Sequence, residues 1–511
     1  MSTKCVINVD LADVWAAAGR KQYVRTLAWG DDVSVSKQTS TGIEIETVSF
    51  DEQPDGSILP VKETGFIEPT KSSVIKTADI VRPRNQNDVL KVNCVDVQQG
   101  DGAVIESPDG KVILVDGGDN QLFARYLAGR FRGTTAANPK EIDCILVTHG
   151  DADHFSGLPE IFKSETNEEK RKRLFIQPKR YYHNGIVKRP TKKNGKKVPD
   201  VELLGATRKV GKQTFLTGLE DNLLKVPDAE MNSPFKEWRN ALKEYNKRAK
   251  IELRRLQFGD NDAFSFFNQG DLRIEVLGPL VTQVVGKPAL RFLGDPPKGP
   301  RIGHESLSLG EEDFKGHSAS HTINGHSVVF RLSYGGFSYL FTGDLNDEAS
   351  RFLTREHNAG RLNLKSEVFK VPHHGSADFS GAMFQAVSPV VSIVSSGDES
   401  ARKDYIHPRA TLMGALGKWS RVPEPLIFVT ELVAFFKVEG WSKLSNPKTT
   451  KEKERGDFFG FSRTAFGIVK TRTNGKRLFV YTDSGNLEKK EAYAYALDTS
   501  GVPQPAEVLR A

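Results

Sequence analysis

The sequence predicts an α/β layered domain preceded by a small all-β module, and two observations carry that expectation. From residue 90 onward, apolar strand-like runs alternate with helical stretches and end in loops loaded with Asp, His and Gly, the pattern of a layered α/β domain. Before residue 68, short β-like runs follow one another between turn residues, with no helical period.

The first runs lie at 23–28, 33–36, 43–50 and 58–62, with breaks at Trp29-Gly30-Asp31-Asp32, Thr41-Gly42 and Asp55-Gly56. They predict a small β-barrel over residues 1–67. Its apolar strand leading into Trp-Gly-Asp and then a Val-rich strand resembles SH3-like modules, which implies either a cap or a docking module for a protein partner. Residues 68–88, with Pro69 and Pro83 among Ser, Lys and Asn, read as a linker. The main domain is expected over 89–420. There, a strand at 90–97 turns through Gly100-Asp101-Gly102 into a hairpin at 103–106 and 112–115, followed by a helix near 122–127 and an apolar strand at 142–147.

A basic insertion is expected at about 163–270. Residues 161–200 hold thirteen Lys or Arg against four Asp or Glu, an excess that suits either a solvated face or a nucleic-acid surface. Trp238, Leu242, Tyr245, Ala249 and Leu253 then recur at helical spacing, with Arg and Lys on the other faces, and predict a basic amphipathic helix. Strands resume at 272–277, 326–332 and 337–341. A C-terminal β-rich extension at 421–511 carries the Asn474-Gly475 hairpin signal between runs at 466–472 and 477–482.

Composition narrows the class. The 511 residues are 38% hydrophobic and 27% charged, close to the globular average, which excludes collagen-like and wholly disordered chains. No run approaches the ~20 apolar residues that span a bilayer, so no membrane partner is expected. Asp10 and Asp13 interrupt any signal-peptide core, and the expected compartment is the cytoplasm. Three scattered cysteines, Cys5, Cys94 and Cys144, suggest reduced thiols rather than disulfides. The net charge of +7 is small for this many charged groups, so its placement matters more than its size.

The chemistry concentrates in Thr148-His149-Gly150-Asp151-Ala152-Asp153-His154, directly after the apolar strand at 142–147. Two carboxylates and two imidazoles crowded at a strand's carboxyl end are costly without a cation to share, so a metal site is expected. Thr342-Gly343-Asp344 places another carboxylate at a strand end, and Pro372-His373-His374-Gly375-Ser376 places two imidazoles in a strand-to-glycine turn. His407, in Tyr405-Ile406-His407-Pro408, is a further candidate.

Taken in order, His149-x-Asp151-x-Asp153-His154, Thr342-Gly343-Asp344, Lys370-Val371-Pro372-His373-His374-Gly375-Ser376 and His407-Pro408 resemble the metallo-β-lactamase superfamily. Within it the resemblance is to the hydrolase domains of bacterial ComEC-type DNA-uptake proteins, and Val95 to Asp101 and Leu114-Val115-Asp116-Gly117-Gly118 belong to the same pattern. The resemblance covers residues from about 90 to 420. It implies an αββα sandwich holding one or two divalent metal ions. His149 and Asp151 would hold one metal, Asp153 and His154 the other, with Asp344 bridging and His407 in the late histidine position. His373 and His374 would lie beside the metals and assist the leaving group.

Two departures from that pattern stand out: Asp151 replaces the commoner second histidine, and no mid-chain histidine ligand is matched, although His304, His317, His321 and His326 lie nearby. Carboxylate in place of imidazole hardens the site and shifts preference from Zn toward Mn or Mg. The expected function is that of a metal-dependent phosphodiesterase or nuclease. Asp153 would orient or deprotonate the attacking water, His373 or His374 would protonate the leaving oxygen, and Lys370 or Ser376 would contact the phosphate. Lys192, Lys193, Lys196 and Lys197 of the basic insertion would bind nucleic acid. The same fold also accommodates hydrolysis of a cyclic nucleotide, phosphonate ester or lactone, or a non-catalytic scaffold.

Overall fold

The computed structural model describes residues 2–54, 58–69, 75–295, 314–397, 407–433, 435–442, 458–465, 467–482 and 491–511. Asp55, Gly56, His304, Tyr405 and Ile406, and the first residue of the run expected at 466–472, lie outside the described residues.

Alternation along the strands decides the layering. In Leu90–Val95 and Val112–Asp116, the side chains of Leu90, Val92, Cys94, Ile113 and Val115 point to one side, into a core shared with Ile274, Val276, Phe330, Leu332, Tyr339 and Phe341 of a second sheet. Val95, Val112 and Leu114 point the other way, onto Phe123 and Leu127 of the helix Leu122–Arg130 and Trp238, Leu242 and Tyr245 of the helix Ser233–Arg248. On the far side of the second sheet, Val329, Leu340 and Phe369 meet Leu353, Met383, Phe384 and Leu412 of three further helices, Asp347–Asn358, Gly381–Val387 and Ala410–Lys418. Helix, sheet, sheet and helix thus form the αββα sandwich. Because both faces of each sheet are covered, its strands are apolar on both sides.

Among the described residues the first sheet has ten strands and the second has six. Their composition moves three boundaries expected from sequence. The strands Ile468–Thr473, Arg477–Thr482, Ala492–Leu497 and Pro503–Ala506 are not an extension packed on the domain. Ile468–Thr473 pairs antiparallel with Leu90–Val95, and the other three continue the same sheet. Likewise, Leu426–Val429 completes the second sheet beside Val391–Val394.

The region at 163–270 is also built into the sandwich. Arg180–His183 pairs parallel with Cys144–Leu146, and Glu252–Arg255 pairs parallel with Arg180–His183. The helix Ser233–Arg248 buries Trp238, Leu242 and Tyr245 completely, so its apolar stripe is core. It stops before Ala249, which is extended. Asn246 accepts from the Ile251 N–H, and Leu253 turns into the strand that pairs with Arg180–His183.

The N-terminal unit is a seven-stranded antiparallel sheet. Its edge strand, Val81–Pro83, lies in the expected linker and pairs with Thr3–Ile7. Ala511 is buried in this unit's core, and its N–H donates to the Leu11 carbonyl. Among the described residues, no helix is long and apolar enough to cross a membrane.

Candidate metal centre

The parallel strands Val112–Asp116, Cys144–Leu146, Phe337–Phe341 and Val368–Lys370 all deliver their carboxyl ends to one edge of the sandwich, where loops can place polar groups around a shared point. The connecting turns are tight. Gly343 has φ near 50°, and a Cβ there would lie 2.8 Å from Ser327 Oγ and 2.9 Å from Thr148 Cβ, so only glycine fits. Asp116, His373 and His374 hold positive φ without that freedom, backbone strain of the kind that clusters at functional sites.

Asp116 organises the first loop. Its carboxylate accepts from the Thr148 N–H and hydroxyl, both at 2.7 Å, and faces His154 Nδ1 at 2.9 Å, which leaves His154 Nε2 directed into the site. His154 Nε2 lies 3.1 Å from Asp344 Oδ1 and 3.3 Å from His374 Nε2. His374 Nε2 lies 3.2 Å from Asp344 and 3.5 Å from Asp153, while its Nδ1 faces the Ser395 carbonyl at 3.1 Å. Asp153, His154, Asp344 and His374 each present a donor atom within 4.8 Å of the others. His149 Nε2 is buried 3.8 Å from Asp344 and has no hydrogen-bond partner among the described residues.

The electrostatics match this crowding. Burial opposes charge on His154, but Asp344 and Asp116 outweigh it and push the imidazole well above its ordinary value. His374 behaves the same way against Asp344, Asp101 and Asp153. Burial likewise opposes ionisation of Asp344, and His154, His374 and His373 nonetheless hold it well below the usual carboxylate range. Asp153 falls to about 2 against its own burial, through His374 and His154. By contrast, burial and the neighbouring His154 push His149 down, and burial with His373 pushes His407 down to about 4. A buried set of anionic carboxylates and imidazole nitrogens around one point fits a divalent cation. Its mixed N and O donors suit Zn, Mn or Mg rather than a thiolate-loving ion.

Around these groups is a cavity of about 310 Å³, lined by Asp151, Asp153, Lys188, Asn324, Asp344, His373, His374 and His407, among others. His373 Nε2 is 3.9 Å from Asp344, and the His407 ring lies 6.1 Å from that of His373.

Several expected roles change. Lys370 does not face the cavity: it is buried, and its Nζ donates to Asp101 Oδ2 at 2.8 Å and lies 2.7 Å from Oδ1 of the same carboxylate. Asp151 is held by Lys188 at 2.7 Å and by the Asn324 amide at 2.9 Å, and it lies outside the four-residue cluster. Ser376 is not among the cavity-lining residues, and its hydroxyl accepts from the Asp378 N–H. Lys192–Lys193 and Lys196–Lys197 form an exposed two-stranded hairpin, also absent from the lining. His326 is buried against the Arg291 carbonyl, and His321 faces Asp378 and Glu348.

The sequence reading placed Asp101 and Asp116 in the superfamily pattern without a role in the site, and passed over Lys188 and Asn324. The first two carried a signal, an aspartate before glycine at a turn or strand end. Lys188 carried none beyond membership of a basic run.

Residues 95–190 match the family model described as the metallo-beta-lactamase superfamily. Over 86 residues, 17% of this chain and 12% of the relative, the sequence is 40% identical to the competence protein ComA of Neisseria gonorrhoeae. Over 98 residues, 19% of this chain and 12% of the relative, it is 33% identical to the ComE operon protein 3 of Bacillus subtilis (strain 168). The chain therefore spans about an eighth of the length of these curated relatives. Match and architecture together establish that it contains a domain of the metallo-β-lactamase superfamily, with similarity to ComEC-type competence proteins.

Proposed function

We propose that the chain is a metal-dependent phosphodiesterase acting on DNA or RNA. The superfamily match supports a metal-dependent hydrolase, and the observation that carries the finer reading is the buried cluster of Asp153, His154, Asp344 and His374 opening on a cavity that also holds a lysine. When bound, a divalent cation would supply Lewis acidity toward a phosphoryl oxygen and a water acidified toward neutrality.

The remaining roles belong to side chains. Asp116 fixes the His154 tautomer, and Asp101, clamped by Lys370, lies 3.4 Å from His374 Nδ1. Asp153, the most open of the four, orients the attacking water. Lys188, on leaving Asp151, binds a non-bridging phosphate oxygen in the place expected for Lys370. His373 delivers the proton to the departing oxygen. The cavity, near the lower end of small-molecule pockets, also suits a mononucleotide-sized ester and is the observation that favours hydrolysis of a cyclic nucleotide or similar small substrate.

The test is Asp344→Asn, assayed on single- and double-stranded DNA, RNA and cyclic dinucleotides with Mn²⁺, Mg²⁺ or Zn²⁺. Metal-stimulated cleavage should fall by roughly 100-fold or more, with nucleic-acid binding retained. Unchanged cleavage overturns the assignment, and cleavage by the unsubstituted chain confined to cyclic dinucleotides favours the small-substrate reading.

A further inference from the structure

A second charged surface lies away from the catalytic cavity. Glu106 pairs with Val112 at the start of the strand whose far end is Asp116, so the two edges are separated by about 13 Å of strand. The helix Leu122–Arg130 runs back from the metal edge and brings Arg130 to Glu106. There the N-terminal unit and the sandwich enclose a groove with two adjoining chambers of about 930 and 790 Å³.

Eight lysines and arginines line these chambers against four carboxylates. The four carboxylates are already engaged. Glu106 is held by Lys91 at 2.9 Å and Arg130 at 2.6 Å, Asp32 by Arg84 at 3.2 Å, and Glu141 by Lys179 at 3.1 Å, while Asp31 accepts from the Ala28 N–H. Arg25, Arg125 and Lys140 form no ion pair among the described residues. Phe131 lies under both Arg130 and Lys140, whose cationic groups are 5.5 and 5.3 Å from its ring centre. Arg132 lines both chambers as well.

Concave, arginine-rich walls whose positive charge exceeds the local carboxylates concentrate anions, and guanidinium forks match phosphate oxygens in pairs. We infer that this groove binds the phosphate backbone of a nucleic-acid strand at a place distinct from the catalytic cavity. An arginine-rich groove with an aromatic ring fits a phosphodiester chain better than an acidic polypeptide, whose carboxylates lack the tetrahedral array of acceptors. The inference deepens the phosphodiesterase reading by locating where the distal part of a long substrate is held.

The experiment uses the full chain in the cleavage-silent Asp344→Asn background and a fluorescein-labelled single-stranded DNA of about 20 nucleotides. Anisotropy is followed across a salt series for this protein and for the same protein with Arg25→Glu, Arg132→Glu and Lys140→Glu. The triple change should weaken binding at least roughly tenfold and reduce the slope of log K against log salt by about 2, near 0.7 for each lost phosphate contact. Arg25→Gln with Lys140→Gln should give an intermediate loss, and an unchanged thermal midpoint shows that the variants are folded. Binding and slope unchanged by both sets overturn the inference, as does displacement of the DNA by polyglutamate at equal charge concentration. Failure of the unsubstituted chain to cleave any nucleic acid overturns the phosphodiesterase reading alone, since the binding measurement reads the groove separately.

Discussion

Replacing Lys370 by methionine separates two roles that sequence and structure give the same residue. If Lys370 contacted substrate phosphate, the change would raise KM and leave stability alone. In the structure both partners are almost fully enclosed, with side-chain exposures of 7% for Lys370 and 8% for Asp101, and Nζ lies within 2.8 Å of both carboxylate oxygens. Removing one member of such a pair leaves an uncompensated buried charge and costs about 3–5 kcal/mol. Lys370 and His374 together hold Asp101 below the usual carboxylate range in spite of its burial, so the carboxylate would lose its principal counter-charge. Urea denaturation followed by tryptophan fluorescence measures the loss. Adding Asp101→Leu to Lys370→Met should recover much of it, because an apolar pair replaces an orphaned anion. A loss under ~1 kcal/mol, or a double variant no more stable than the single, would refute the argument.

Two further outcomes follow from local features. Glu106 is depressed from 4.5 to about 2 against its burial, by Lys91 and Arg130. A folded value below the unfolded one means stability that is present above pH ~4.5 and lost as pH falls toward 2, worth roughly 3 kcal/mol at ~1.4 kcal/mol per pH unit. Glu106→Gln should therefore flatten the acid limb of the stability curve across that window, and an unchanged limb would contradict the pairing. Gly343→Ala should destabilise by about 1–3 kcal/mol, because it adds a Cβ to a positive-φ turn already in contact with Ser327 and Thr148. It should also lower the metal retained after purification, measured by elemental analysis, and full retention would show that the turn yields without disturbing Asp344.

Features encoded by short spacing were legible in the sequence. The strand-end positions of His149, Asp344 and His374 follow from apolar runs closed by Gly-rich turns, and the Asn474-Gly475 turn joins two paired strands as expected. The fully buried stripe of Trp238, Leu242 and Tyr245 likewise repeats at helical period. What periodicity cannot encode is which distant partner a segment meets. Lys370 and Asp101 are 269 positions apart, and nothing near either residue announces the other. Lys188 reached Asp151 only because Arg180–His183 joined the sheet beside Cys144–Leu146, a pairing hidden by the charge of the surrounding run. The linker at 68–88 concealed Val81–Pro83 for a similar reason: a three-residue edge strand has too little pattern to stand out among polar neighbours.

The pairing of Thr473 with Leu90, and of Ile468 with Val95, has a temporal meaning for a polypeptide made from its amino end. Leu90–Val95 leaves the ribosome first and must wait while more than 370 further residues are made before its neighbour on that side exists. Until then the edge is open to other pairings, and closing so distant a contact is slow once the neighbour arrives. Early termination anywhere before residue 468 would release a product lacking that cover.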